Sequence, residues 1–282
     1  AFFNVLAWAV FHLAVAATVG KGIVEPSFVD SRVIFGALIG AISWNLITWY
    51  YGIPSSSSHA LIGGLIGAVL PKAGLEPLLW PGILKTAAFI FVAPLLGMAL
   101  GALIMLIVSW IFFRQPPRKV DRWFRRVQLF SSAAYSLGHG GNDAQKTMGV
   151  IWLLLIANGI TTADRLPTWV VMSCFLAMGV GTMFGGWRIV KTMGQRITKL
   201  KPVGGFAAEA AGSITLFMAT HFGIPVSTTH TITGAIMGVG TTRGTANVRW
   251  AVAGNIVIAW LLTIPCSAAI AALAWWIGGA IL

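Results

Sequence analysis

Two short segments rich in hydroxyl side chains lie 171 residues apart, one beginning at Pro54 and the other at Pro225. Residues 54–59 read PSSSSH and residues 225–230 read PVSTTH, and each follows a Gly-Ile pair. A proline ends the preceding segment, and Ser and Thr are residues that cap the start of a new helix. A helix start offers free N–H groups and the positive end of a dipole, which bind anions. Two such starts directed at one point would hold a tetrahedral oxyanion from opposite sides.

A third polar segment, residues 138–149 (GHGGNDAQKTMG), interrupts an otherwise apolar stretch. Charged groups at membrane depth are costly and mark functional sites. We expect the glycines of this segment to loosen its helix, so that backbone carbonyls, Asn142 and Asp143 coordinate a small hard cation, which prefers oxygen ligands. The alternative is a structural ion pair between Asp143 and Lys146, which are three residues apart on a helix.

Three further ionisable residues lie inside apolar segments. His59 and His230 end the two hydroxyl segments at equivalent positions, where they serve either gating or proton relay, or a hydrogen bond between helices. Glu209 has Leu38 at the equivalent position of the first copy, so the symmetry is broken there. A cation or proton-relay role for Glu209 competes with pairing to a neighbouring helix.

The similarity between the two hydroxyl segments extends along the chain. Residues 52–67 align without a gap on residues 223–238, and Pro94 aligns with Pro265 in the long apolar segment that follows each copy. Three predicted spans separate the copies, and an odd number reverses the orientation of the second copy. The chain is therefore predicted to be an inverted-topology repeat, which is typical of secondary transporters with a site near the bilayer midplane.

The composition excludes an ordinary water-soluble domain. Hydrophobic residues make up 57% of the chain and charged residues only 9%, with a mean hydropathy of +0.84, whereas soluble domains carry about 25% charged residues. The net charge is +12, but the basic residues lie between apolar segments. They are expected to be topology signals that face the cytoplasm, and no nucleic-acid partner is expected.

Seven apolar segments approach or exceed the length of about 20 residues that crosses the hydrocarbon, namely 2–19, 33–51, 83–112, 128–157, 168–187, 203–221 and 249–281. Two shorter, Gly-rich segments, 55–70 and 226–240, are expected to be broken half-helices that re-enter the membrane. The sequence therefore predicts an all-α integral membrane protein of the cell (inner) membrane. The basic loops 114–126 and 188–201 are expected on its cytoplasmic side.

The three polar segments together resemble the PiT family of inorganic phosphate transporters, whose motifs read approximately SHGANDAQKTMG, PVSTTHT and PASSSH. These motifs correspond, respectively, to residues 138–149, 225–231 and 54–59. Along the chain the three segments follow one another in the order that the family shows. The resemblance implies cation-coupled phosphate symport, with Asn142 and Asp143 as cation ligands or close neighbours of the anion. It also implies phosphate contacts from Ser56, Ser57, Ser58, Gln145, Thr147, Ser227, Thr228 and Thr229.

The motif spacing divides the chain into a first repeat at 1–113, a basic cytoplasmic loop at 114–127 and a second repeat at 128–282. No Gly-Asn-Asp segment precedes the first hydroxyl segment, and the chain begins at Ala1. We therefore expect that the first repeat lacks its first helix and that this piece alone does not transport.

The function predicted is secondary active transport of phosphate by alternating access, coupled to Na⁺ or H⁺. Sulfate or another tetrahedral oxyanion is the alternative substrate, and an anion channel or a membrane subunit of a larger assembly is the alternative class. No nucleotide-binding or hydrolase motif occurs, so neither an enzyme nor a cofactor beyond the coupling ion is expected. The expected partners are phosphate, the coupling cation and membrane lipid, with a homodimer as a further possibility.

Overall fold

The computed structural model describes the backbone of residues 1–281 and side chains through residue 279. Within this part the chain is helical, with a single isolated backbone bridge between Val24 and Leu78. The helices are α1 Phe2–Leu6, α2 Ala14–Gly22, α3 Ser31–Tyr51, α4 Ser57–Ala73, α5 Trp80–Ile111, α6 Pro117–Ala157, α7 Thr168–Met183, α8 Trp187–Lys191, α9 Pro202–His221, α10 Thr228–Thr241 and α11 Trp250–Ile281. The all-α prediction is confirmed.

Four helices, α3, α5, α9 and α11, are long and apolar enough to cross a membrane, and the number rises to six if each of two bent pairs is one span. Phe2–Ala9 meets Ala14–Gly22 at 86°, and Thr168–Met183 meets Trp187–Ile197 at 66°. The predicted spans at 2–19 and 168–187 are therefore each interrupted by a bend. In the second pair the break falls at Gly185, whose φ of 77° suits glycine and ends the helix.

The basic segment between the two predicted repeats is mostly helix, because α6 begins at Pro117 rather than near residue 128. Most of the segment predicted as a loop at 114–127 is therefore helical. Proline fits the first turn of a helix, where its missing N–H is not needed. With 41 residues, α6 is about 60 Å long. The second basic segment, 188–201, is likewise partly helical, through α8 and a π-helical turn at Thr192–Ile197.

The glycines of the Gly-Asn-Asp segment do not loosen α6, which is continuous through them. The prediction of freed backbone carbonyls is therefore wrong. These glycines instead allow close neighbours, since Gly140 faces the backbone of Asn4 and Gly141 faces the ring of Phe11. Small residues at helix contacts serve this purpose in membrane proteins.

The two predicted half-helices are confirmed as α4 and α10, with 17 and 14 residues. At 1.5 Å per residue they are about 26 and 21 Å long, shorter than the roughly 30 Å of hydrocarbon. Gly52 and Gly223 precede them with φ of 66° and 63°, a conformation that glycine adopts without strain. Ile53 and Ile224 then donate their N–H groups back to α3 and α9, both at 2.8 Å, which closes each preceding helix before the proline.

Each short helix packs mainly on the long helix that follows the other hydroxyl segment, so that α4 lies against α11 and α10 against α5. Gly63 and Gly67 face the backbone of α11, while Gly234 and Gly238 face the backbone of α5. These two glycine pairs are separated by the same 171 residues as the hydroxyl segments. The two halves of the molecule therefore interlock through equivalent backbone contacts.

Replacement of Gly238 by Ala tests this contact, because a methyl group there would overlap the backbone carbonyl of Met98 on α5. We expect the free energy of unfolding in detergent to fall by about 1–3 kcal/mol, the usual cost of overpacking. Gly254→Ala on α11 is the matched control, since its added methyl group meets nothing within 4 Å. Equal stability of the two variants would contradict close packing of α10 on α5.

Candidate functional site

The starts of α4 and α10 are capped in the same way. The hydroxyl of Ser56 accepts the N–H of His59, and the hydroxyl of Ser227 accepts the N–H of His230, both at 3.2 Å. Ser56 and Ser227 are buried, so their side chains belong to the caps. The first two N–H groups of each helix, those of Ser57 and Ser58 and of Thr228 and Thr229, have no partner within a helix.

The two helix starts meet. The ring centroids of His59 and His230 are 4.8 Å apart, and the Ser58 hydroxyl lies 3.4 Å from the carbonyl oxygen of Val226. Two free sets of N–H groups and two positive dipole ends are therefore brought to one region of the protein. This arrangement suits an anion with oxygens on opposite sides.

An ion pair from α6 reaches this junction. The ammonium of Lys146 lies 2.6 Å from Oδ1 of Asp143, and it also donates to the hydroxyl of Ser58 and the carbonyl of Val226, both at 2.5 Å. Oδ2 of Asp143 accepts the hydroxyl of Thr228 at 3.1 Å. The side chains of Lys146 and Asp143 are only 4% and 11% exposed. The pair therefore ties α6 to the starts of both short helices, beyond the contact within α6 that the sequence suggested.

Asn142 fixes the chain that leads into α10. Its side chain is fully buried and donates to the hydroxyl of Thr220 at 3.0 Å and the carbonyl of Ile224 at 3.2 Å. Its amide oxygen accepts the N–H of Val226 at 3.3 Å. Asn142 therefore lies beside Asp143, as predicted, but its polar atoms are engaged with the protein backbone and Thr220.

Gln145 lies away from the hydroxyl segments and caps another helix. Its side-chain oxygen accepts the N–H groups of Val15 and Ala16 at 3.0 and 3.2 Å, and its nitrogen donates to the carbonyl of His12. These contacts satisfy the start of α2 where the first bent pair breaks. In this structure Gln145 therefore organises the bend between α1 and α2.

Thr147 is exposed on α6 and lines a cavity of about 390 Å³ between α6 and α7. Asp143 lines the same cavity, together with Ser173 and Cys174. The ion pair can therefore be reached from the side of α7, although it is largely buried.

Glu209 forms a separate cluster between α9 and α6. Its carboxylate accepts the hydroxyl of Ser131 at 2.6 Å and the amide of Gln128 at 3.3 Å. The structure therefore shows pairing to a neighbouring helix, one of the two roles that the sequence left open.

The paired histidines contact each other without hydrogen bonds. Within the described part of the chain, neither ring nitrogen of His59 or His230 has a hydrogen-bond partner. The ring of His230 stacks on Trp260 at 3.8 Å, and the indole nitrogen of Trp260 donates to the carbonyl of Pro54. The histidines therefore join the two helix starts by ring packing rather than by the interhelical hydrogen bond that the sequence offered as an alternative.

Sequence reasoning missed two contributors to the junction. His139, one helical turn before Asp143, places Nε2 at 3.3 Å from Oδ2 of Asp143 and Nδ1 at 3.1 Å from the Asn4 side chain. The sequence predicts Lys146 only as a partner of Asp143 on the same helix, whereas in the structure Lys146 also reaches Ser58 on α4. Helical spacing could indicate the contacts of Asp143 with His139 and Lys146, but no local pattern indicates that Asn4 and Ser58 lie beside them.

The ion pair predicts strong coupling between Asp143 and Lys146. Asp143→Asn and Lys146→Gln should each lower the free energy of unfolding by about 3–5 kcal/mol, because each leaves a buried charge unpaired. The loss of unfolding free energy in the double variant should be smaller than the sum of the two single losses by at least about 1 kcal/mol. A double-mutant cycle measured by denaturation in detergent checks this, and purely additive losses would contradict it.

Comparison with known proteins agrees with these features. A profile described as the phosphate transporter family matches residues 1–271. A probable low-affinity inorganic phosphate transporter of Rhizobium meliloti (strain 1021) is 58% identical over 274 residues, which cover 97% of this chain and 82% of that protein. A protein of the same description from Bacillus subtilis (strain 168) is 46% identical over 266 residues, covering 93% of this chain and 80% of that protein.

A solved structure, described as the sodium-dependent phosphate transporter, has the same fold. It matches with a TM-score of 0.89 and 26% sequence identity, over 100% of this chain and 88% of that one. The resemblance drawn from the three sequence motifs is thereby confirmed. The chain is a multi-pass membrane protein that belongs to the phosphate transporter family, and it is a transporter rather than an enzyme.

Proposed function

We propose that the protein carries inorganic phosphate by alternating access, with the anion held between the starts of α4 and α10. The observation that supports this most directly is the meeting of the two capped helix starts at His59 and His230. The two halves are proposed to be inverted copies that rock around this point. The reciprocal packing of α4 on α11 and of α10 on α5 supports the equivalence of the two copies.

The proposed anion ligands are of three kinds. Free N–H groups come from the first residues of both short helices, and hydroxyls come from Ser57, Ser58, Thr228 and Thr229. The ammonium of Lys146 adds a full positive charge at the same junction. The three N–H donors of this ammonium are engaged by Asp143, Ser58 and Val226, so its contribution to anion binding is its charge, while the helix N–H groups and the hydroxyls donate the hydrogen bonds. The junction therefore favours an oxyanion over a neutral solute.

Four other predicted residues receive different proposed roles. Ser56 and Ser227 act as helix caps that position the ligands, and Gln145 supports the start of α2. Thr147 faces the cavity that leads to Asp143, where it would meet an ion on its way to or from the junction.

Transport is proposed to be coupled to a cation. The solved relative is described as sodium-dependent, and a proton is the other cation suited to a carboxylate such as Asp143. The protein is proposed to lie in the cell inner membrane, with the basic start of α6 and residues 188–201 on the cytoplasmic side. Anionic headgroups on that side would complement these basic segments.

Uptake of phosphate by proteoliposomes containing the full-length protein tests the function. We expect accumulation above the external concentration when a cation gradient is imposed, and no competition from excess sulfate. Equilibration without accumulation would indicate a channel instead. Strong inhibition by sulfate would indicate a permease for oxyanions in general.

Ser57→Ala tests the anion site with little structural disturbance. The Ser57 side chain is exposed at the first turn of α4, and within the described residues its hydroxyl has no hydrogen-bond partner. A hydrogen bond to a charged group contributes about 1.5–3 kcal/mol, so KM for phosphate should rise by about tenfold or more. Ser132→Ala is the control, because that hydroxyl bonds only to its own helix. An unchanged KM in Ser57→Ala would remove Ser57 from the site.

A further inference from the structure

We infer that the ammonium of Lys146 occupies the position that a sodium ion would take beside Asp143, so that phosphate uptake by this protein does not require Na⁺. Lys146 then acts as a tethered cation that determines ion specificity. This inference rests on the proposed transport function, and it concerns the ion rather than the anion.

The contacts of Lys146 are those of a bound cation. Its nitrogen is surrounded by a carboxylate oxygen of Asp143, a hydroxyl oxygen of Ser58 and a carbonyl oxygen of Val226, at 2.5–2.6 Å. An ammonium group has three N–H donors, and each has an oxygen here. Carboxylate, hydroxyl and carbonyl oxygens are also the ligands that hard metal cations prefer. The side chain therefore uses the donor set that a small cation would need.

The other oxygen atoms near Asp143 already have hydrogen-bond partners and are poor ligands for a sodium ion. Oδ2 of Asp143 accepts the hydroxyl of Thr228 and lies 3.3 Å from His139. The amide oxygen of Asn142 accepts a backbone N–H. A second cation at Asp143 would also lie close to the ammonium, and like charges repel strongly where water is excluded. The residues present therefore do not fit a sodium ion at Asp143.

The length of the lysine side chain explains how one residue can place a positive charge between three parts of the chain. Lys146 lies on α6, while Ser58 begins α4 and Val226 precedes α10, so the ammonium links three parts of the chain. It keeps a positive charge at the helix starts without any ion from solution. The Lys146 ammonium is attached to the protein and does not cross the membrane. Where it takes the place of a sodium ion, no sodium ion is transported with phosphate, and the sodium gradient supplies no energy for uptake through this position. The driving force must then come from another ion gradient.

Ion replacement on the unmodified protein is the first test. Initial rates of phosphate uptake are measured in proteoliposomes containing the full-length protein at one fixed pH gradient, with external Na⁺ either present or replaced by choline. We expect the two rates to agree within about twofold. A rate at least tenfold lower in choline would overturn the inference while leaving phosphate transport intact. No uptake in either medium would overturn the proposed function, and with it the inference.

Removal of the tethered charge is the second test. In Lys146→Gln we expect uptake in choline to fall at least tenfold and to recover in part with Na⁺, since the neutral amide leaves the carboxylate free for an ion. Lys146→Arg keeps the charge and should remain independent of Na⁺. Lys85→Gln, at an exposed lysine of α5, is the matched control. Uptake by Lys146→Gln at the unmodified rate in choline would overturn the inference.

A binding measurement separates ion specificity from transport. The melting temperature of the purified protein in detergent is followed as NaCl replaces choline chloride at constant ionic strength. Stabilisation by Na⁺ is expected for Lys146→Gln and not for the unmodified protein or Lys85→Gln, because a ligand raises stability only where it binds the folded state. Equal stabilisation of all three would overturn the inference. If Lys146→Gln does not fold, ion replacement on the unmodified protein still decides the question.

Discussion

A buried charge must be compensated, and in this protein that requirement connects three separate parts of the chain. Asp143 and Lys146 lie on the same helix, yet they also contact Ser58 at the start of one short helix and Thr228 at the start of the other. If either helix start moved away, the ion pair would lose a partner inside a largely dry environment. The positions of α4, α6 and α10 are therefore mutually dependent, and the junction where they meet is also the place best suited to an oxyanion.

Close backbone approach allows this junction to form. The short helices carry glycines on the faces that contact α5 and α11, and these contacts repeat after 171 residues. In a lipid environment, where apolar side chains gain little by leaving the solvent, close packing of small residues holds helices together. The first turns of α4 and α10 can therefore carry polar side chains, because the glycines further along each helix make its packing contacts with α11 and α5.

Much of the architecture follows from local sequence. The Gly-Ile-Pro breaks indicated α4 and α10 because glycine and proline end helices through backbone geometry alone. Other elements could not be read in this way. The bend between α1 and α2 depends on Gln145, more than 120 residues away, which satisfies the free N–H groups of α2. The glycines around Gly140 were expected to loosen the helix, yet α6 is continuous there and these glycines lie against Asn4 and Phe11.

By itself, the sequence determined the membrane class, the repeated half-helices and the residue types suited to an oxyanion, since these depend on hydropathy, helix-ending residues and periodicity along the chain. Only the tertiary structure decided which of the polar residues share a site. It brought Lys146 to both short helices, placed Gln145 at α2 and left Glu209 with Ser131 and Gln128. The physical reason is that a hydrogen bond or ion pair depends on distances of about 3 Å in space, and residues 78 or more apart in sequence reach that distance only once the helices have packed.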